Sequence, residues 1–146
     1  MEKIYYPRSI DSYLLEWKNE RVHKPLLLRG ARQVGKSSAI RQLGKTFKYF
    51  IEVNFERDQE IISVFTGNLK PKEITSRLAA FYGIPIVPGE TLLFLDEIQA
   101  CTQAIHSLWF FYEDYPELHV VAAGSLLEFA LKKMASFGVG RVRSLF

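Results

Sequence analysis

The feature of this sequence that most restricts its fold is a segment that matches the pattern G-x-x-x-x-G-K-[ST]. Its residues are Gly30, Ala31, Arg32, Gln33, Val34, Gly35, Lys36 and Ser37. The Leu-Leu-Leu run at 26–28 is typical of a short buried strand, and residues 38–43 are typical of the first turns of a helix. A glycine-rich loop between a strand and a helix gathers backbone N–H groups at a helix N-terminus, which favours negative charge. This context predicts a phosphate-binding site.

The residue types within the segment suit distinct parts of a bound nucleotide. The backbone N–H groups from Gly30 through Ser38 are expected to surround the phosphates. Lys36 is expected to reach the β- and γ-phosphates, and the Ser37 hydroxyl is expected to be a ligand of Mg²⁺. Arg32 could contact a phosphate or shield it from solvent. The alternative interpretation of the segment is a glycine-containing turn with a surface lysine.

Helix-like and strand-like segments alternate along the rest of the chain. Apolar residues at helical spacing predict helices over residues 10–21, 36–44, 71–82, 102–114 and 126–135. Apolar runs predict strands over residues 25–28, 49–55, 91–95 and 118–123, and a fifth strand from about residue 141, whereas residues 57–70 are ambiguous. The alternation predicts an α/β fold with three layers, in which helices cover both faces of a mostly parallel sheet of about five strands.

Length and composition exclude several classes of protein. A chain of 146 residues with 48% hydrophobic residues suits a single domain, 1–146, with an N-terminal helical segment over 1–24. The net charge of +3 is spread along the chain, so charge does not indicate a nucleic-acid partner. Cys101 is the only cysteine, and the N-terminus lacks the apolar region of a signal peptide. Because no apolar stretch is long enough to span a bilayer, we expect a cytoplasmic protein with no membrane partner.

A second motif lies about 60 residues after the loop. The apolar run from Thr91 to Leu95 ends in two acids, Asp96 and Glu97. Ligands of open α/β sheets bind outside the carboxyl ends of the strands, so Asp96 is expected beside the loop, where its carboxylate suits Mg²⁺. Glu97 could orient and deprotonate the water that attacks the γ-phosphate. Alone, the motif could be a strand that leaves the core, but with the loop it predicts a magnesium–nucleotide site.

Two further strand ends carry polar residues. Ser125 follows the strand over 118–123 and could sense the γ-phosphate or the attacking water. It could also serve as the N-cap of the next helix, and the two roles are compatible. Asn54 and Glu56, at the end of the second strand, could lie in the outer surroundings of Mg²⁺, although a solvated strand end is the simpler interpretation.

Three segments together resemble the P-loop ATPases of the AAA+ superfamily. They are Gly30 to Ser37, Leu95 to Gln99 and Gly124 to Leu127. More narrowly, the chain is similar to prokaryotic AAA ATPases whose loop reads G-x-R-Q-V-G-K-[ST] and whose acidic motif reads D-E-I-Q. The resemblance implies ATP and Mg²⁺ as ligands, an ASCE/AAA+-like P-loop fold, and Walker A residues in the first segment. It also implies Walker B residues Asp96 and Glu97, and a sensor-type residue at Ser125.

The resemblance also bears on the extent of the chain. Family members usually continue past a Gly-Arg pair, here Gly140-Arg141, into a further strand and a long C-terminal domain. The resemblance therefore implies an N-terminal fragment that lacks the helical lid and the C-terminal domain. Arg141 or Arg143 could reach the γ-phosphate of a neighbouring subunit in a homo-oligomer, the alternative being two solvated arginines.

The function that these observations predict is an ATP-binding, Mg²⁺-dependent NTPase. Its catalytic residues would be Glu97, Lys36 and Ser125. The first alternative is a nucleotide-binding switch with little turnover, and the second is a DNA-associated ATPase, which rests on analogy alone. A nucleotide or small-molecule kinase is disfavoured because no arginine-rich lid segment is found, and the absence of a guanine-reading N-K-x-D stretch favours ATP. The sequence does not identify a client or pathway.

Overall fold

The computed structural model describes residues 9–20, 24–28, 34–67, 70–124 and 143–145. The helices in these ranges are α1 (Ser9–Lys18), α2 (Val34–Gly44), α3 (Pro71–Tyr82) and α4 (Thr102–Asp114). The strands are β1 (Leu26–Leu28), β2 (Tyr49–Asn54), β3 (Thr91–Asp96), β4 (His119–Ala123) and β5 (Arg143–Leu145). Short 3-10 segments cover Gln59–Phe65 and Ile98–Ala100. Within these ranges, no helix is long and apolar enough to cross a membrane.

The bounds of the helices follow from local chemistry. Pro71 opens α3 at a position where a backbone N–H has no helical partner, so proline is tolerated there. Gly83 closes α3 in the left-handed conformation, with φ of 68°, and its N–H donates to the Ala79 carbonyl oxygen at 2.8 Å. The predicted bounds of α3 and α4 are therefore confirmed. The predicted first helix ends earlier than expected, at Lys18, and the helix predicted over 126–135 lies outside the described residues.

All neighbouring strands in the sheet are parallel, in the order β2-β3-β4-β1-β5. Four strands form the main sheet, and the three-residue β5 adds an edge beside β1, where the sequence predicts a fifth strand. β1 leads through α2 to β2 at one end of the sheet, whereas β4 precedes β5 at the other end. The chain order thus reverses between β4 and β1, and such a reversal creates a crevice at the carboxyl ends of the strands.

Both faces of the sheet are buried, as expected for parallel strands. Every residue of β3 and β4 is buried. One face packs against α3, α4 and the 3-10 segment Gln59–Phe65, through side chains that include Leu78, Ile105 and Phe65. The other face packs against α1 and α2, and its largest side chain is Trp17, whose indole N–H donates to the Lys24 carbonyl oxygen at 2.6 Å. The three-layer α/β/α prediction is therefore confirmed.

The stretch 57–70, which sequence leaves ambiguous, contains the 3-10 segment Gln59–Phe65. Ile61 and Phe65 on this segment are fully buried against the sheet. Gly67 follows with φ of 79°, a conformation that interrupts a helix and that glycine adopts without strain. The stretch thus forms a short segment that packs on the sheet and ends before Gly67.

Candidate functional site

The second half of the glycine-rich segment, from Val34 onward, forms the N-terminus of α2. Val34, Gly35 and Lys36 form the first turn of α2, and Ser37 and Ser38 come next as half-buried residues. Gly30, Ala31, Arg32 and Gln33 lie outside the described residues, as do the Lys36 side chain and Ser125. The structure thus confirms the strand before the segment and the helix predicted over 36–44, which begins slightly earlier, at Val34, while the conformation of residues 30–33 stays a prediction.

Asp96 lies on the face of the sheet that α2 covers. Alternate residues of a strand face the same side, and Leu92 and Phe94 pack in the cluster that includes Ile40 of α2. Asp96 continues this alternation at the last position of β3. The structure therefore places the predicted magnesium ligand on the side of the helix that begins within the glycine-rich segment.

The surroundings of Asp96 disfavour its charged form in the absence of a cation. The residue is 8% exposed, and this burial raises the pKa of its carboxyl group above the ordinary value. The Glu97 N–H opposes the shift by donating to Asp96 Oδ1 at 2.8 Å, whereas the charges of Glu97 and Glu52 raise the pKa further. A divalent cation at this position would compensate the buried negative charge.

The donor set fits Mg²⁺. Magnesium is usually held by one or two carboxylates, with phosphate oxygens and water completing its octahedron. Asp96 offers such a carboxylate. Ser37, whose hydroxyl is the second predicted ligand, lies in the second turn of α2, the helix that covers this face of the sheet. Both donors are oxygens, as this hard ion requires.

Arg41 places a positive charge in the same region. It lies four residues after Ser37 and hence on the same face of α2. Its guanidinium group forms a bidentate pair with Glu52 of β2, with Nε to Oε1 at 3.0 Å and Nη2 to Oε2 at 2.8 Å. The hydrogen bonds to Glu52 raise the pKa of Arg41, and the Arg41 charge lowers the pKa of Asp96. Sequence reasoning missed this pair, because only the spacing from Ser37 hints at it.

Glu97 has an unusual backbone conformation. Its φ of 52° and ψ of 45° lie in the left-handed region, and it is the one non-glycine residue with positive φ in the described part of the chain. A left-handed conformation is unfavourable by roughly 1–2 kcal/mol for a residue with a Cβ. Such conformations cluster at functional sites, where the surrounding structure maintains them. Here the bond from the Glu97 N–H to Asp96 Oδ1 helps to maintain the turn.

A glutamine that sequence reasoning left without a role contacts the predicted base. Gln99 Nε2 donates to Glu97 Oε1 at 2.9 Å and to Glu56 Oε2 at 3.3 Å. Gln99 also packs closely against Gly124. Its Oε1 lies so near that a Cβ on residue 124 would clash with it. The signal available in the sequence was the position of Gln99 at the end of the D-E-I-Q segment.

The two polar residues at the end of β2 have different roles. Asn54 is paired with Asp96 in the sheet register, but its Oδ1 accepts hydrogen bonds from the backbone N–H groups of Glu56 and Arg57, both at 3.0 Å. Asn54 therefore stabilises the turn that ends the strand, which agrees with the simpler interpretation. Glu56 is exposed, yet its carboxylate contacts Gln99 and so belongs to the edge of the site.

The fold and the arrangement of these residues define a class of protein. β1 and α2 lie at the point of chain reversal, and the sequence that joins them includes the start of the G-x-x-x-x-G-K-S segment. The buried Asp96 ends β3 on the face that α2 covers. This is the arrangement of P-loop nucleotide-binding proteins. A family model described as an AAA domain matches residues 22–146, and the chain belongs to that family. The chain is thus an AAA-type P-loop protein with a nucleotide-binding, ATPase-like function. No curated protein matches the chain.

Proposed function

We propose that this chain binds ATP together with Mg²⁺ and hydrolyses it. The observation that carries the proposal is the end of β3. There, Asp96 is buried on the side of α2, and Glu97 follows in a left-handed turn with its carboxylate hydrogen-bonded to Gln99. Membership of the AAA domain family supports ATP as the nucleotide.

Binding would rest on the glycine-rich segment and α2. The backbone N–H groups from Gly30 to Ser38 would surround the phosphates, and Lys36 would pair with the β- and γ-phosphates. Ser37 and Asp96 would hold Mg²⁺ through their oxygens. The chemistry supplied by Mg²⁺, when bound, is neutralisation of charge on the β- and γ-phosphates.

Hydrolysis would depend on Glu97 as the general base. Its carboxylate accepts a proton from a water molecule, and the water oxygen bonds to the γ-phosphorus while the bond to the β–γ bridging oxygen breaks, which releases ADP and phosphate. Glu97 is half-buried, so its carboxylate can meet a water molecule without full exposure to solvent. We propose Ser125, two residues after β4, as a sensor of the γ-phosphate or of that water.

A single-turnover ATPase assay tests this proposal. Glu97→Gln removes the base but keeps the size of the side chain, so the rate should fall by about 10²–10⁴-fold, with little change in ATP affinity. The matched control is Glu117→Gln, an exposed site just before β4 and therefore at the opposite end of the strands. Equal and negligible rates for the wild type and Glu97→Gln would contradict hydrolysis. With intact ATP binding, that result would favour a nucleotide-binding switch.

A further inference from the structure

We propose that Gln99 is a positioning residue for Glu97, and that it links the Glu97 carboxylate to the carboxyl end of β4. The inference rests on the proposed role of Glu97 as the base. It concerns what holds that base in place and which part of the sheet its position depends on. Three contacts of the Gln99 side chain carry it.

The first two contacts determine how the Gln99 amide is oriented. Its nitrogen lies 2.9 Å from Glu97 Oε1 and 3.3 Å from Glu56 Oε2. Both neighbours are carboxylate oxygens, which accept hydrogen bonds, so only the NH₂ end of the amide suits this side. The two hydrogens of one amide group thus hold two carboxylates whose charges repel each other, and Glu97 Oε1 receives the shorter of the two bonds.

The third contact is on the opposite end of the amide. Because the nitrogen is committed to the carboxylates, Gln99 Oε1 must point the other way, where it is buried and receives no hydrogen bond from the described residues. It lies against Gly124, and a Cβ at this position would clash with it and would lie 3.2 Å from the Ile98 nitrogen. Gly124 is therefore the residue that leaves room for the Gln99 side chain.

One side chain thus joins the ends of three neighbouring strands. Glu56 follows β2, Glu97 follows β3 and Gly124 follows β4, and these strands are adjacent in the sheet. A displacement of the chain at Gly124 would press on Gln99 and turn its amide, and the Glu97 carboxylate bonded to that amide would move with it. The base is therefore coupled to the strand end that precedes Ser125.

Glu97 depends on this contact because its backbone fixes only the start of the side chain. The left-handed turn and the bond to Asp96 Oδ1 determine where the side chain leaves the backbone. Several rotatable bonds then separate the backbone from the carboxylate. The Gln99 amide fixes the far end, and within the described residues no other side chain donates a hydrogen bond to this carboxylate.

The test compares a variant of Gln99 itself with a variant of Gly124, the residue that its amide oxygen contacts. Gln99→Leu keeps a similar volume but removes the donor and the acceptor, whereas Gly124→Ala leaves Gln99 intact and displaces it. The matched control is Gln103→Leu, at an exposed position in the first turn of α4. We expect both site variants to lower the single-turnover ATPase rate by about 10- to 100-fold, the range for a misplaced catalytic group. The Kd for ATP should change by less than about twofold, because ground-state binding does not use this contact.

The same substitution made in a Glu97→Gln protein separates a positioning role of Gln99 from a general structural effect. If Gln99 acts through the Glu97 carboxylate, Gln99→Leu should lower the rate no further in a Glu97→Gln protein. A wild-type rate for Gln99→Leu and Gly124→Ala, or an undiminished loss in the Glu97→Gln background, would overturn the inference. Those results leave the proposed function intact. Failure of the wild type to bind or hydrolyse ATP would instead contradict the proposed function and the positioning role with it.

Discussion

The hydroxyl of Thr91 fixes the loop that leads into β3, and its removal gives a quantitative test of the structure. Thr91 is fully buried at the first position of the strand that ends in Asp96. Its Oγ1 donates to the Pro85 carbonyl oxygen at 2.9 Å and accepts from the Val87 N–H at 2.9 Å. Thr91→Val keeps the shape of the side chain but removes both hydrogen bonds.

The two lost partners contribute unequally to the expected destabilisation. Pro85 is exposed, so water can replace the bond to its carbonyl oxygen at little cost. Val87 is half-buried, and its N–H loses its acceptor where water reaches it poorly. An unsatisfied donor of this kind costs about 1–3 kcal/mol, so we expect Thr91→Val to lower the free energy of unfolding by about 2 kcal/mol.

Urea denaturation of the nucleotide-free protein measures this loss. With a slope of about 1–3 kcal/mol per molar urea, the midpoint should fall by roughly 1 M without a change in slope. The control is Thr75→Val in α3, where the buried hydroxyl makes one bond, to the Lys72 carbonyl oxygen at 3.1 Å. That carbonyl keeps its place in the helix, so we expect a loss below about 1 kcal/mol. Equal losses for the two variants would refute the reasoning.

Two further predictions concern charges near the site. Asp96→Asn should raise the stability of the nucleotide-free protein at neutral pH by about 0.5–2 kcal/mol, because burial raises the pKa of Asp96 and so disfavours its charged form. The gain should shrink as the pH falls through the raised folded-state pKa and should be lost below about pH 3, where the carboxyl group is protonated in both the folded and unfolded states; urea denaturation at neutral pH and below about pH 3 checks the sign. Arg41→Met should cost at most about 1 kcal/mol, since the Arg41 side chain is 50% exposed. That loss should shrink in about 1 M NaCl, and urea midpoints that are independent of salt would contradict an electrostatic contribution.

The sequence was most informative where a single local rule decides the structure. Pro71 and Gly83 mark both ends of α3, and a continuous apolar run marks β3, so these elements were predicted closely. The order of strands in the sheet could not be predicted in the same way. β1 pairs with β4 and β5, which are far away along the chain, and nothing in the short Leu26–Leu28 run specifies those partners.

The same contrast applies to the candidate site. Asp96 and Glu97 were singled out because they come at the end of a buried apolar run, and the structure places Asp96 at the end of β3, on the face of the sheet that α2 covers. Gln99 and the Arg41–Glu52 pair were missed, because their roles depend on side-chain contacts that no sequence pattern specifies: Arg41 of α2 reaches Glu52 of β2, and Gln99 reaches both Glu97 and Glu56. Glutamine and arginine are common on protein surfaces, so their presence alone carries little information.

The central claim is that the segment from Gly30 to Ser37 binds ATP. Titration calorimetry with ATP, with and without Mg²⁺, on the wild type and Lys36→Ala tests it most directly. We predict binding that Mg²⁺ strengthens, and a loss of about 10- to 100-fold in Lys36→Ala, as expected when a charge-assisted bond worth about 1.5–3 kcal/mol is removed. Unchanged affinity in Lys36→Ala, or no binding by the wild type, would contradict the claim.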